Sequence, residues 1–233
     1  MRHSITRDCT IVVSRRGGVE AVYFEPDNPL YNQYRNAVAA GGNFAIANRL
    51  LIWKSVGEVF EEVFGEEPEL VYEISHNLAQ EEEVPSLGGK AWVHRKGATR
   101  AFPAGHHGLK GTRFAETGHP ILLPGNPQDG SVVMVAEAGA EKSCYSVNHG
   151  AGRAMGRKAA ARTLDQTTVD RSFEDRDILT NCRLYPIDEA PAAYKDFKEV
   201  LRSVEAAGLA STVAKLDARF VIKDSDDSLK GAA

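Results

Sequence analysis

The chain has 233 residues, of which 42% are hydrophobic and 26% charged, and its formal net charge is −4. That length buries a core without staples, and the mild acidity excludes a global basic field, so any nucleic-acid contact must come from a local patch. Three scattered cysteines, Cys9, Cys144 and Cys182, form no CxxC pair, which argues against a disulfide framework or structural zinc site and for a reducing compartment.

Charges interrupt the N-terminal stretch MRHSITRDCTIVVSRRGG, so it does not read as a secretory signal. No apolar run approaches the roughly 18–20 residues of a membrane span, and the simplest location is the cytoplasm. A short β-like run at Thr10–Val13 precedes Arg15-Arg16-Gly17-Gly18. From about Asn32 to Phe64 the pattern is helical: Phe44, Ala47, Leu51, Val56, Val59, Phe60 and Val63 recur at mostly three- and four-residue steps. Gly65 and Pro68 end it.

Leu70–Ile74 reads as a strand running into Ser75-His76-Asn77, and Lys90–Val93 as one leading into the basic turn His94-Arg95-Lys96-Gly97. Pro120–Leu123 and Ser131–Ala136 are further strand-like runs, and Lys142–Val147 leads into Asn148-His149-Gly150-Ala151-Gly152-Arg153. A helix follows through Leu164, and a last one starts near Pro191 with Phe197, Val200, Leu201 and Val204 on one face. Leu216–Ile222 is a closing strand before a polar tail, 224–233, expected to be disordered. Strands and helices intermix without a strict βαβ rhythm, so the expected class is α+β, mixed sheets with packed helices, in a single domain over 1–233.

Polar residues with chemical potential gather at the ends of the strand-like runs. The richest set is Asn148–Lys158. Gly150 and Gly152 let the backbone approach a ligand. A helix starting just after them would set free N–H groups beside the His149 imidazole as an anion site. Arg153, Arg157 and Lys158 add positive charge suited to phosphate oxygens. A neutral histidine in that setting can attack phosphorus; on spacing alone, an equal reading is a helix-capping His149 with solvated arginines. His76 suits a metal ligand or a substrate-orienting group, although a lone histidine there is more often simply hydrogen-bonded. His106, His107 and His119 sit in Gly-rich loops without an assigned role, and Glu81-Glu82-Glu83 reads as solvated surface.

The string NHGAGRAMGR at Asn148–Arg157 resembles the HGAGR-x-M-S-R signature of the RtcB family of RNA-splicing ligases. In the family's order, Asn43–Arg49 is similar to NFAWANR, Ile74–Asn77 to an AHN segment, and Val93–Phe102 (VHRKGATRAF) resembles another hallmark nearly letter for letter. Leu122–Ser131 resembles an IPGSMG loop, Asp188–Asp196 a DE-x-P-x-AYKD motif, and Val221-Ile222-Lys223 a terminal VKG. The resemblance implies an RtcB-like fold and a GTP- and Mn²⁺-dependent enzyme of tRNA splicing or RNA repair. Its substrates would be RNA ending in a 3′-phosphate or 2′,3′-cyclic phosphate and RNA bearing a 5′-hydroxyl. By the same resemblance His149 is the nucleophile that carries GMP, and His76 is a metal ligand. Asn77, Ser131, Gly150, Ala151, Gly152, Tyr194 and Lys223 contact the nucleotide, and Lys96 with the Arg95/Arg100 turn meets RNA or phosphate.

The similarity covers the C-terminal half of the family. The D-x-G-C and GTGNH segments of its N-terminal half have no counterpart, and His3-Ser4-Ile5-Thr6-Arg7 is only similar to HSGSR. The N-terminal half is therefore expected to be missing or to be a separate polypeptide, with weak or no ligation by this chain alone. A non-catalytic protein that binds nucleotide or RNA, and an unstable fragment, are the other readings. Two local departures stand out: Pro124–Ser131 replaces PGSMG, and Gly156 replaces a serine before Arg157.

Overall fold

The computed structural model describes residues 12–16 and 19–223; His3, Cys9 and the 224–233 tail lie outside the described residues. The chain divides into two compact units. One holds residues up to Glu81 together with Trp92–His94; the other holds Glu82–Ala91 and residues from Arg95 onward.

In the first unit, β1 (Val12–Arg16) and β2 (Val19–Tyr23) pair antiparallel, with Val12 opposite Tyr23. Helix α1 (Pro29–Phe64) runs for 36 residues, roughly 54 Å at 1.5 Å per residue. Its ends follow from local chemistry. Asn28 accepts the Leu30 N–H at 2.9 Å and Pro29 opens the first turn, while Gly65, at φ 77°, donates back to Glu61. The apolar side chains that mark the helix in sequence, Phe44, Leu51, Val56, Val59, Phe60 and Val63, are exposed; its buried positions are Gly42 and Gly57. A Cβ on Gly42 would come within 2.8 Å of Leu78 Cδ1, so the bare glycine leaves room for that leucine side chain against the helix.

The strand expected at Leu70–Ile74 is irregular chain instead, and β3 (Asn77–Val84) begins immediately after His76. Arg49 of α1 holds this irregular segment through Glu73 and through Ser75 Oγ at 3.0 Å, side-chain bonds that take the place of a ladder. A 3₁₀ turn, Pro85–Leu87, and Gly88 in the left-handed region join β3 to its partner β4 (Gly89–Lys96). The basic segment His94-Arg95-Lys96 is thus strand, alternating exposed, buried, exposed, and the turn falls at Gly97.

In the second unit, β5 (Ala98–Arg100) pairs antiparallel with β8 (Ser146–Asn148), and β6 (Pro120–Pro124), β7 (Ser131–Ala136) and β10 (Ala210–Leu216) form an antiparallel sheet with β7 in the centre. Its inward residues Ile121, Leu123, Val132 and Met134 build the main core with Phe102, Leu109, Val147 and Phe197. The short strands β9 (Leu179–Thr180) and β11 (Phe220–Val221) pair parallel beside a smaller core of Val169, Phe173, Ile178 and Tyr185.

Three helices complete this unit: α2 (Arg157–Thr163), α3 (Gln166–Glu174) and α4 (Phe197–Ala206). Pro191 opens only a 3₁₀ turn; α4 starts at Phe197, capped by Asp196, because residues 194–195 run extended to bond a neighbouring strap. The closing strand expected at Leu216–Ile222 is present only as the two residues of β11, and the longer β10, which the apolar pattern did not mark, takes Ala210–Leu216 to pair with β7. The α+β class holds. Among the described residues no helix is long and apolar enough to cross a membrane.

Candidate functional site

Strand β8 delivers His149 at its end, exposed to solvent. The His149 N–H donates to Gly97 O at 3.2 Å. Gly97, at φ 72°, lies against the imidazole: a Cβ there would stand 3.5 Å from both Cδ2 and Nε2 of the ring. The positive φ is what calls for glycine at this turn, since a Cβ would meet the ring at ordinary contact distance. Asn148 Nδ2 donates to Gly150 O at 2.9 Å, and the Ala151 N–H donates to Pro124 O at 3.0 Å, pinning the chain after the histidine to the end of β6.

No helix follows the glycines directly. α2 waits until Arg157, and residues 150–156 form an irregular strap, so a helix N-terminus beside the imidazole is not what this segment builds. The strap's backbone is bonded to the 193–195 segment instead. Ala154 N–H donates to Ala193 O at 2.8 Å, Lys195 N–H donates to Gly152 O at 3.0 Å, and Arg153 bridges to Tyr194.

The arginines expected to face phosphate close the same junction. Arg153 bonds Asp188 O and lies 3.4 Å from Glu189 Oε1, its guanidinium 5.2 Å from the centre of the Tyr194 ring. Arg157 pairs with Asp188 and Glu189, each at 2.8 Å. Glu189 also accepts the Tyr194 hydroxyl. Burial, this hydrogen bond and the carboxylate charge hold the Tyr194 phenol above its ordinary pKa. Both arginines are therefore committed to a clasp between two motif segments; Lys158 is exposed. Asp188 and Glu189 carry this role, which no local pattern announced, because their partners lie more than thirty residues away.

The junction lies between two neighbouring cavities. The larger, about 960 Å³, is lined by His149, Gly150, Ala151, Gly152 and Tyr194, with Gly97 and Asn148 on one side and Lys195, Glu199 and Ser203 on another. The smaller, about 320 Å³, is lined by Ser131, Tyr194, Glu189, Asp217 and Lys223. Pro124, Gly125 and Tyr194 belong to both. Lys223 is held at the rim by Asn181, whose Oδ1 accepts the Lys223 N–H and whose Nδ2 donates to Lys223 O, both at 2.8 Å. The loop that departs from the PGSMG pattern is ordered by Asn126, whose Oδ1 accepts the N–H groups of Gln128 and Asp129.

The structure thus brings together Ser131, His149, Gly150, Ala151, Gly152, Tyr194 and Lys223. His76 and Asn77 belong to the first unit, His76 half-buried at the bend before β3 and Asn77 exposed as its first residue. Among the described residues no group of three or more His, Cys, Asp or Glu side chains could hold a metal ion.

Two basic residues expected near phosphate have other surroundings. Arg95 is buried and bonds Glu82 through both guanidinium Nη atoms, each at 2.7 Å; Lys96 is exposed; Arg100 lies 3.9 Å from the same carboxylate. Glu82 is therefore no part of a solvated acidic run, because strand alternation turns it inward between exposed Glu81 and Glu83. His119 is buried, with Nδ1 accepting the Phe102 N–H at 3.1 Å. Burial first, then the charges of Arg100, His106 and Arg95, bring its pKa down to about 4. His106 stacks on Phe102 with ring centres 3.9 Å apart.

A family model described as tRNA-splicing ligase RtcB matches residues 10–224. The tRNA-splicing ligase RtcB of Pyrococcus abyssi is 39% identical over 194 residues, covering 79% of this chain and 21% of that protein. Its counterpart in Thermococcus kodakarensis is 39% identical over 201 residues, 82% of this chain and 42% of that protein. The RNA-splicing ligase RtcB of Mycobacterium tuberculosis is 38% identical over 187 residues, 78% of this chain and 43% of that protein. The chain spans less than half the length of each of these relatives.

Proposed function

This chain belongs to the RtcB family of tRNA-splicing ligases, and from that premise we propose that it is the nucleotide-carrying part of a GTP-dependent RNA ligase, with His149 as the residue that bears GMP. The observation that carries the reading is the shared lining of the two cavities. The exposed imidazole and its glycine strap border the larger one, Ser131 and Lys223 border the smaller, and Tyr194 belongs to both. A nucleotide seated across that junction puts its base in the smaller pocket and its α-phosphate at the imidazole.

An imidazole nitrogen attacks the α-phosphorus of GTP, a P–N bond forms, and the bond to pyrophosphate breaks as pyrophosphate leaves. An oxygen of the RNA 3′-phosphate then attacks the same phosphorus and the P–N bond breaks, returning neutral imidazole and leaving GMP on the RNA end. Attack by the 5′-hydroxyl on the RNA phosphorus expels GMP and seals the strand. Bare glycines at 150 and 152 keep the backbone within reach of phosphate oxygens, and Lys223 brings a cation to the base end. Arg153 and Arg157 act one step back, holding the strap in place.

Family membership implies manganese, for which His76 is our candidate ligand. The described residues do not by themselves assemble a site for it.

The test is incubation of the chain with [α-³²P]GTP and Mn²⁺, alone and with the N-terminal portion of a family relative, followed by a search for a protein phosphoramidate. Label that disappears in His149→Ala is the expected result. Label that persists in that variant overturns the nucleophile assignment. Label that requires the added portion identifies a two-piece enzyme.

A further inference from the structure

The turn that leads into β8 is strained. Cys144 and Tyr145 both sit at φ 51°, two consecutive side-chain-bearing residues in the left-handed region, a conformation that persists only where the surroundings over-determine it. Those surroundings centre on one buried cation. Arg95 donates from Nη2 to Cys144 O at 3.0 Å and to Tyr145 O at 3.3 Å, and from Nε to Ser146 Oγ at 2.9 Å. Its charge is balanced by Glu82, and the two side chains are only 3% and 6% exposed. Ser146 Oγ in turn donates to Cys144 O at 3.1 Å.

Three residues beyond Ser146 is His149. On the other side, Arg95 lies two residues before Gly97, whose carbonyl accepts the His149 N–H and whose bare Cα faces the ring. The guanidinium therefore grips the strand before the glycine turn and the strand that delivers the histidine.

We propose that the Glu82–Arg95 pair is a positioning unit for His149, fixing the strained Cys144–Tyr145 turn so that β8 presents the imidazole over Gly97. The proposal deepens the reading of His149 as the guanylate carrier and, for its kinetic part, rests on it. A planar fork is required: a single ammonium cannot reach the carboxylate, the serine hydroxyl and two carbonyls together.

The experiment compares the whole chain with Arg95→Lys and with Ser146→Ala, the milder change that removes one bond from the guanidinium. The first readout is the His149 imidazole resonance in a histidine-labelled NMR spectrum, assigned by its loss in His149→Gln, with circular dichroism and the amide spectrum reporting folding. The second is adduct formation from [α-³²P]GTP under the conditions that label the wild type. Expected are a displaced or broadened His149 resonance in both folded variants and an adduct rate constant about tenfold lower at saturating GTP, with half-saturation changed by less than about twofold.

A folded variant of lower Tm whose His149 resonance and rate constant match the wild type would show the pair to be merely structural and overturn the proposal. Should Arg95→Lys fail to fold, Ser146→Ala decides by the same readouts. A wild-type chain that takes no label either alone or with the added N-terminal portion, while the resonance still moves in the variants, refutes the carrier reading and upholds the positioning one.

Discussion

Glu189→Ala probes the clasp that closes the site. The carboxylate serves three partners, and their exposure sets the cost of removing it. The Tyr194 hydroxyl loses a partly buried charged acceptor, about 1.5 kcal/mol at the lower end for such bonds. Arg157 is 67% exposed along its side chain, so its pairing is screened and contributes less than about 1 kcal/mol. Arg153, at 3.4 Å and with a second anchor on Asp188 O, adds roughly 0.5 kcal/mol. The expected loss is thus about 2–3 kcal/mol, a large share of the roughly 5–15 kcal/mol that holds a domain of this kind.

Urea unfolding measures the loss, and amide hydrogen exchange locates it. Protection should fall at Ala154, Met155 and Lys195, whose N–H groups bond across the junction. A loss below about 0.5 kcal/mol, the ordinary range for surface substitutions, with protection unchanged at those three amides, would refute the clasp.

Three further outcomes follow from the same geometry. A histidine whose folded pKa lies below its unfolded value contributes stability that is complete above the unfolded pKa and is lost as pH falls through the folded one. His119, brought from 6.5 to about 4, should therefore cost the fold about 3 kcal/mol across that window, and His119→Asn, which keeps an acceptor for the Phe102 N–H, should flatten this part of the urea-midpoint profile; superimposable profiles would contradict the burial argument. Gly97→Ala, at φ 72° and facing the imidazole, should lower stability by roughly 1–2 kcal/mol in thermal unfolding and slow adduct formation; an unchanged Tm would show that the turn tolerates a Cβ. Asn181→Ala releases the Lys223 backbone on both sides and should weaken GTP binding by calorimetry about tenfold, a change of about 1.4 kcal/mol; affinity equal to wild type would remove Lys223 from the nucleotide pocket.

Several features were readable without coordinates because their causes are local. Gly65, read from the sequence as the end of the helical pattern, closes α1 through capping chemistry contained within a few residues, while the start, expected near Asn32, lies at Pro29 behind the Asn28 cap. Ser131, His149, the glycine strap, Tyr194 and Lys223 could be singled out because short motifs spell them, and the structure sets those motifs around one junction. His76 and Asn77 were equally legible as a motif, yet no motif states which other side chains surround them.

What only the tertiary structure decided is where charges find their partners. Arg153 and Arg157 look like a phosphate site in one dimension, yet they end on Asp188 and Glu189, thirty-one to thirty-six residues away. Glu82 looks like the middle of a solvated run, yet the strand's alternation turns it inward onto Arg95. Caps and turns are short-range and follow from residue type alone. A buried ion pair depends on which two segments the fold brings face to face, and the desolvation that makes the pairing obligatory exists only once the chain has closed around it.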